Sequence, residues 1–177
     1  MSKRPPRLTP KRRTTLCAEL LVPHVPRGFT AFVADDEHIP ALAARSKEAF
    51  GHVALTTTDL RRYVHKAHAL VLGLQKRGTI VAYCLIELNA GQRRIYVVET
   101  YTAPELRGKG YGSWLRGRVD AIGETLGYRS VTSHVSVRNT AALKLNEKAG
   151  MTIVRQIPAY YDDGRAAFYL RKLLPSG

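Results

Sequence analysis

A glycine-rich segment at residues 107–112 joins a strand pattern to a helix pattern, and this junction restricts the fold more than any other stretch. Residues 95–102 before it are rich in β-branched and aromatic side chains, which favour a strand. After it, apolar residues recur at helical spacing, at Leu115, Val119, Ile122 and Leu126. The bare backbone of Gly108, Gly110 and Gly112 lets successive N–H groups point outward at the positive end of the helix dipole. A tight turn alone would also use glycines, but the order strand, glycine turn, helix predicts a phosphate-binding site.

The length of 177 residues predicts one domain that is large enough to bury a core. No apolar run approaches the roughly 20 residues that span a bilayer, and the N-terminus has no signal-like segment, so we expect a cytoplasmic protein without membrane association. Cys17 and Cys84 have the spacing of neither a zinc site nor a redox pair. His65 and His68 have helical spacing but no further ligand nearby, so we expect no metal.

The net charge of +14 is the unusual feature of the composition. Part of it lies in a proline-containing opening without acidic residues, whose cations are Lys3, Arg4, Arg7, Lys11, Arg12 and Arg13. We interpret residues 1–27 as a basic, mobile arm that precedes a folded domain at residues 28–174. Such a charge attracts nucleic acid (including the ribosome), acidic protein surfaces or a polyphosphate cofactor, and it does not choose among them.

The remaining patterns predict an α/β fold with a mixed sheet, without an internal repeat or a second domain. Strands are expected at residues 28–34, 69–74, 79–88, 95–102, 129–137, 151–157 and 166–173. Besides the helix after the glycine segment, helices are expected from Asp35 or Asp36 to Phe50, from Thr58 or Asp59 through Val64, and from Asn139 or Thr140 to Gly150.

Two segments resemble the GNAT (GCN5-related) N-acetyltransferases. One is Pro-Glu-Leu-Arg-Gly-Lys-Gly-Tyr-Gly at residues 104–112, and the other follows Asn139 and closes with Ala-Leu-Lys-Leu-Asn-Glu-Lys-Ala-Gly-Met at residues 142–151. The resemblance extends over residues 29–173 and is strongest over residues 95–151. It implies a central, mostly antiparallel sheet of about six to seven strands with splayed central strands, flanked by about four helices. It also implies acyl transfer to an amine from acetyl-CoA as co-substrate.

By this resemblance, the amides of the glycine segment hold the CoA pyrophosphate, and the end of the preceding strand offers backbone groups to the pantetheine arm. The residues that it implies for cofactor binding are Thr100, Tyr101, Thr102, Arg107, Gly108, Lys109, Gly110, Tyr111, Gly112, Ser113, Asn139 and Asn146. At the position of Asn146, many family members, including the bacterial ribosomal-protein alanine acetyltransferase type, have a tyrosine that serves as the general acid. Because asparagine cannot titrate here, the proton for the leaving thiolate would come from Tyr96, Tyr111 or water.

This chemistry requires a base, because an alkylammonium with a pKa of about 10.4 for lysine, or roughly 8 for an α-amine, must lose a proton before it attacks. His134 suits the role, since its unperturbed pKa is about 6.5. The segment at residues 134–139 resembles the His-Val-x-x-x-Asn stretch of NatE-type N-terminal acetyltransferases, whose histidine works with a tyrosine on the facing strand. Tyr96 falls at that tyrosine's position. We interpret His134 and Tyr96 as a catalytic pair; the alternative is a hydrogen-bonded strand histidine and a packing aromatic.

Glu99 is the second candidate for the base, since a carboxylate in an otherwise apolar strand can have a raised pKa. Strand alternation places it on the face opposite Tyr96, unless a bulge reverses its direction. The alternative for Glu99 is a structural hydrogen bond or salt bridge.

The candidate acceptor-binding residues are Phe50, Tyr160 and Tyr161. The turn at residues 160–164 resembles the tyrosine hairpin with which N-terminal acetyltransferases bind the first residues of a peptide. Phe50 falls in the position of their substrate loop. We therefore expect a protein N-terminus or a lysine as acceptor. The alternatives are a small amine (polyamine, amino acid or aminoglycoside) and an RNA- or ribosome-associated protein, and the sequence is compatible with a monomer or a homodimer.

Overall fold

A single seven-stranded sheet, in the order β1-β2-β3-β4-β5-β7-β6, forms the centre of the computed structural model, which describes residues 8–175. The strands are β1 Thr30–Val33, β2 Ala69–Lys76, β3 Thr79–Asn89, β4 Arg94–Thr102, β5 Ser130–Ser136, β6 Thr152–Ile157 and β7 Ala167–Leu173. Neighbouring strands are antiparallel except β4 and β5, which are parallel. The predicted mixed, mostly antiparallel sheet is confirmed.

Five α-helices accompany the sheet in the described part of the chain, and they are α1 Pro10–Leu16, α2 Ile39–Phe50, α3 Thr57–His65, α4 Tyr111–Leu126 and α5 Thr140–Lys148. The second begins after a short 3₁₀ turn, and α3 is capped by Thr56, whose hydroxyl oxygen accepts from the Asp59 amide at 3.2 Å. Thr56 lies two residues before Thr58, the first of the two caps predicted for this helix. Asn139 caps α5 by accepting from the Ala142 amide at 3.0 Å, so the first of the two predicted caps is the one used.

Helices cover both faces of the sheet. A Cβ added at Gly123 of α4 would lie 3.0 Å from the side chain of Ile95, so Ile95 points towards α4. Lys66, at the end of α3, pairs with Glu87, and Glu87 lies directly across from Tyr96. Because Ile95 and Tyr96 are consecutive and therefore point to opposite faces, α3 and α4 lie on opposite sides of the sheet. No helix among residues 8–175 is long and apolar enough to cross a membrane.

Residues 8–24, which the sequence analysis assigned to a mobile basic arm, are folded against the domain. Leu8, Leu16 and Leu21 are buried in the main core. The Arg13 guanidinium donates to the carbonyl oxygens of Val64 and Lys66 at 2.8 and 2.6 Å. The prediction followed the charge of this segment and did not weigh its leucines, whose burial stabilises the packed state.

Two further hydrogen bonds join this N-terminal segment to α4. The indole N–H of Trp114 donates to the His24 carbonyl at 2.6 Å, and Arg118 donates to the Leu20 carbonyl at 3.1 Å. The predicted boundary at residue 28 therefore does not separate a folded part from an unfolded one. The first cations of the predicted arm, Lys3, Arg4 and Arg7, lie outside the described residues.

The parallel strands β4 and β5 pair over only four residues each. Pairing runs from Arg94 opposite Ser130 to Val97 opposite Ser133, and beyond these positions the two strands separate. The Ser133 hydroxyl donates to the Val97 carbonyl at 3.2 Å, so the carbonyl at the last paired position keeps a partner. The splayed central strands implied by the family resemblance are present.

A bulge interrupts β4 next to this separation. Leu85 of β3 lies opposite Glu99, but the next residue, Ile86, lies opposite Val97, so Val98 has no residue directly across from it. An extra residue of this kind reverses the direction of the side chains that follow it. Glu99 and the residues after it therefore point to the face opposite the one that simple alternation predicts.

The packing of the N-terminal segment predicts that alanine substitutions at two neighbouring residues have very different effects on the free energy of unfolding. Leu21 is 0% exposed and Val22 is 55% exposed. We expect Leu21→Ala to lower the free energy of unfolding by about 2–5 kcal/mol, because it leaves a cavity in the core. The matched variant Val22→Ala should lower it by about 0.5 kcal/mol or less. Urea denaturation followed by circular dichroism measures both, and equal, small effects would show that this segment does not pack on the domain.

Candidate active site

The glycine-rich turn places unpaired backbone N–H groups at the start of α4. Gly108 and Gly110 have φ angles of +75° and +89°, which side-chain-bearing residues rarely adopt. The first intrahelical bond runs from the Trp114 amide to the Gly110 carbonyl at 2.8 Å. Within residues 8–175, the amides of Tyr111, Gly112 and Ser113 have no backbone partner, as the first turn of a helix requires. A Cβ added at Gly108 or Gly110 would meet nothing within 4 Å, so the space outside this turn is open.

The same turn lies close to the end of β4 and to α5. A Cβ added at Gly112 would lie 3.2 Å from a methyl carbon of Leu145 and 3.6 Å from the Thr102 hydroxyl oxygen. Arg107 donates to the Thr102 carbonyl at 3.1 Å, and Lys109 is exposed beside it. The structure therefore brings together the predicted cofactor-binding residues from Thr102 to Ser113.

The other predicted cofactor-binding residues have contacts of their own. The Thr100 hydroxyl lies 3.6 Å from the Cys84 sulfur. The buried Tyr101 donates from its hydroxyl to Glu48 of α2 at 3.1 Å, so its side chain points to the face opposite α4. The Asn139 side chain is engaged in capping α5. Only backbone groups of Tyr101 can therefore serve the role that the resemblance implied for it.

Asn146 is buried and held by a buried arginine that the sequence analysis did not single out. Arg116 of α4 is 3% exposed and donates to Asn146 Oδ1 at 2.8 Å, and it also contacts the Met151 sulfur. The Asn146 amide group in turn donates to the Ala142 carbonyl at 2.7 Å. Burial lowers the pKa of Arg116. The spacing of Arg116 with Val119 and Gly123, all buried on one face of α4, is the sequence signal that predicts its burial.

His134 and Tyr96 meet across the point where β4 and β5 separate. The Tyr96 hydroxyl lies 3.2 Å from His134 Nδ1. The His134 ring also stacks on Tyr160, with centroids 4.5 Å apart and planes at 14°, and lies 5.1 Å from the Tyr169 ring. The structure thus brings together the two residues that the sequence analysis paired.

The environment keeps both groups of this pair neutral near pH 7. Burial lowers the pKa of His134, and the charges of Arg94 and Arg155 lower it further. Burial raises the pKa of Tyr96. A neutral imidazole beside a protonated phenol can accept a proton and pass one on.

Because of the bulge at Val98, Glu99 shares a face with Tyr96. Glu99 lies opposite Leu85 and Tyr96 lies opposite Glu87, and Leu85 and Glu87 point the same way on β3. The expectation that Glu99 lies on the face opposite Tyr96 is therefore wrong. The bulge that the sequence analysis named as the exception is present.

Glu99 is buried among hydrogen-bond donors from α2 and β3. The Ser46 hydroxyl donates to it at 3.1 Å, and the Tyr83 hydroxyl donates to its other oxygen. Ser46 also accepts from the Leu55 amide at 2.9 Å. Burial raises the pKa of Glu99, while the two donors oppose the rise. These contacts fit the structural hydrogen bonding that the sequence analysis gave as the alternative for Glu99.

A cleft of about 280 Å³ opens beside His134 on this face, and its lining residues are Glu87, Asn89, Arg94, Tyr96, His134 and Tyr160. Tyr161 touches Tyr160 edge-on, with centroids 5.0 Å apart, but does not line the cleft, and neither does Phe50. The sequence analysis missed Glu87, Asn89 and Arg94. Their alternation with the buried residues of β3 and β4 would place them on the Tyr96 face, but only the pairing of the strands shows that they meet.

Parallel strands that separate beside a glycine turn and a helix start define an acyltransferase-type α/β fold. The Acetyltransferase (GNAT) family matches residues 34–151, more than half of the chain. The chain therefore belongs to the GNAT acetyltransferase family, as the sequence resemblance implied. Comparison with curated protein sequences gives no match. Among residues 8–175, no three histidine, cysteine or acidic side chains form a group that could hold a metal ion.

Solved structures of the same fold include acetyltransferases of several kinds. The ribosomal-protein-S18-alanine N-acetyltransferase of Escherichia coli is 16% identical, with a TM-score of 0.73 over 84% of this chain and 96% of that one. YncA of Salmonella typhimurium, with its cofactor acetyl-CoA, is 18% identical, with a TM-score of 0.71 over 85% and 96%. A nourseothricin acetyltransferase is 17% identical, with a TM-score of 0.68 over 84% and 99%. At these identities the likeness shows the fold.

The surroundings of His134 predict the direction in which its imidazole pKa is shifted. We expect an imidazole pKa below the usual value of about 6.5, because burial and the two nearby guanidinium groups disfavour the imidazolium. Removing one charge with Arg155→Gln should raise the pKa, whereas Arg129→Gln, which removes an exposed cation outside the cleft, should leave it unchanged. NMR titration of the His134 ring measures all three proteins, and a wild-type midpoint at or above 6.5 would contradict the expectation.

Proposed function

We propose that this protein transfers the acetyl group of acetyl-CoA to a primary amine, and that its acceptor is a protein N-terminus or a lysine. The observation that carries the proposal is the His134–Tyr96 hydrogen bond beside the gap between β4 and β5. Membership of the GNAT family supports the reaction class. The acceptor rests on the resemblance of the His134 and Tyr160 segments to N-terminal acetyltransferases.

The residues of the glycine turn fit the pyrophosphate of CoA. Gly108 and Gly110 border open space, and the unpaired amides of Tyr111, Gly112 and Ser113 stand at the positive end of α4. Arg107 and Lys109 add positive charge, and the separated end of β4 leaves backbone groups for the pantetheine arm. When bound, acetyl-CoA supplies the acetyl group as a thioester.

His134 and Tyr96 would remove the proton from the acceptor. A protonated α-amine or lysine cannot attack a carbonyl carbon, so one proton must leave the nitrogen first. Tyr96 can take that proton at its hydroxyl oxygen while it passes its own proton to His134 Nδ1, since the two atoms lie 3.2 Å apart. A water between the amine and the pair would serve equally. Glu99, which already accepts two hydrogen bonds, is the second candidate for the base.

The proton for the leaving thiolate has to come from a source other than Asn146. Asparagine does not titrate here, and Asn146 is already engaged with Arg116 and the Ala142 carbonyl. Tyr96, Tyr111 and water are the candidate donors. Tyr111 lies at the start of α4, where its ring is 4.8 Å from that of Phe29.

The charges of the cleft do not favour a polycationic small molecule as acceptor. Glu87, the carboxylate of the cleft, is paired with Lys66 at 2.5 Å, and Arg94 adds a positive charge. A polyamine or an aminoglycoside would therefore meet net repulsion. Tyr160 and Tyr161 instead offer aromatic surface of the kind that the peptide-binding hairpin of N-terminal acetyltransferases has. Association with RNA or the ribosome, the other alternative, would depend on the basic N-terminal segment.

The glycine turn predicts the response of cofactor binding to substitution. We expect Gly110→Ala to weaken the binding of acetyl-CoA about fivefold or more, because alanine disfavours a φ of +89° and the turn must rearrange. Gly117→Ala is the matched control within α4, since its added methyl group meets nothing within 4 Å and alanine favours a helix. Titration calorimetry measures both affinities. Absence of acetyl-CoA binding by the wild-type protein would refute the proposed function.

The proposed proton path predicts that substitutions at His134 and Tyr96 change kcat and not KM. We expect His134→Ala to lower kcat about 100-fold or more with little change in KM, since a base acts on the transition state and not on binding. Tyr96→Phe should also lower kcat, because it breaks the path to Nδ1. Steady-state kinetics with a peptide acceptor measures both variants. Retained turnover in His134→Ala, together with loss of turnover in Glu99→Gln, would make Glu99 the base instead.

A further inference from the structure

Arg94 is a cation of the cleft that lacks a partner in the described residues. It lines the cleft beside Tyr96 and His134. Its Nε is buried without a hydrogen-bond partner, and the side chain forms no ion pair among residues 8–175. Glu87 lines the same cleft but is already paired with Lys66. Buried donors are almost always hydrogen-bonded in folded proteins, so the buried Nε of this partly exposed side chain, which lines a cleft, is free to bind a ligand with acceptor atoms.

The position of Arg94 relative to Tyr96 and His134 sets the distance, within a bound acceptor, between its amine and the group that Arg94 binds. Arg94 and Tyr96 point to the same face of β4, two residues and therefore about 7 Å apart along the strand. The amine must reach Tyr96 and His134 at the end of the cleft next to the strand separation. A group bound by Arg94 then lies farther along the cleft, several bonds away from the amine.

We infer that Arg94 is the specificity-determining residue of the acceptor site, and that the acceptor is an amine that carries a carboxylate within reach of this guanidinium. The inference rests on the proposed transfer of an acetyl group to a primary amine, and it names a second group that this amine carries. Arginine binds a carboxylate through two parallel hydrogen bonds, which fixes both the distance and the orientation of the ligand.

The charges around the cleft support an anionic acceptor. Arg94 and Arg155 both lower the pKa of His134 through their positive charges. Glu87 is compensated by Lys66, so it does not cancel this positive charge. The required chemistry, an amine with a carboxylate several bonds away, occurs in a peptide with Asp or Glu among its first residues and in a free amino dicarboxylate.

The experiment compares matched acceptors with acetyl-CoA. Peptides that differ only by Glu or Gln at the first or second residue form one arm, and free glutamate and glutamine form the other. We expect the acidic member of at least one arm to have a kcat/KM about tenfold or more above its neutral partner. The arm in which the preference appears identifies the source of the carboxylate.

Variants at Arg94 test whether this residue causes the preference for acidic acceptors. Arg94→Gln should abolish it through a higher KM for the acidic acceptor. Because the Arg94 charge also lowers the pKa of His134, any change in kcat should be the same for the acidic and the neutral acceptor. Arg94→Lys should restore part of it, because lysine keeps the charge but not the paired hydrogen bonds. Arg129→Gln removes an exposed cation that does not line the cleft and should leave the preference intact. Thermal unfolding by circular dichroism checks that each variant is folded.

Binding of the same acceptors, measured without turnover by titration calorimetry, separates the two hypotheses. If no acceptor is acetylated but acidic ones bind and lose affinity in Arg94→Gln, the anion site stands and the proposed reaction fails. If acceptors are acetylated but acidic and neutral members react equally, the reaction stands and the role of Arg94 is overturned. Equal binding and no acetylation overturn both.

Discussion

The separation of β4 from β5 is the constraint on which the rest of the site depends. The two strands are parallel neighbours only as far as Val97 and Ser133, and the sheet is open beyond them. A continuous sheet would keep its two faces apart. Here the face that carries α4, with the glycine turn at its start, and the face that carries His134 and Tyr96 both border the gap between the two strands. The proposed reaction needs such an opening, because the thioester and the amine approach from different faces.

Three charged side chains, Glu99, Arg116 and Arg94, differ in whether the described part of the chain provides hydrogen-bond partners for them. Glu99 accepts from Ser46 and Tyr83, and the buried Arg116 donates to Asn146. Both therefore have partners within the chain, as buried charged groups require. Arg94 has none in the described residues. Arg94 lines the cleft and has no partner among residues 8–175, which is why we propose a ligand for it.

The sequence predicted those parts of the site that depend on short stretches of chain. The glycine turn follows from the conformations available to Gly108 and Gly110, and the cap of α5 from the side chain of Asn139. The contact between Tyr96 and His134 was predicted from matched positions in a family, although the two residues are 38 positions apart. The prediction of a mobile N-terminal arm weighed the charge of residues 1–27 and overlooked leucines whose burial requires the rest of the domain.

By itself, the sequence determined the local backbone: a strand, a glycine turn and a helix start with free amides, because φ preferences and helix capping act within a few residues. Only the tertiary structure decided on which face each strand residue lies, since one extra residue at Val98 reverses the strand after it. It also decided that Ser46 meets Glu99 across 53 residues and that Arg94 joins Tyr96 in one cleft. Pairing register and burial arise from contacts between distant segments, and no single segment contains that information.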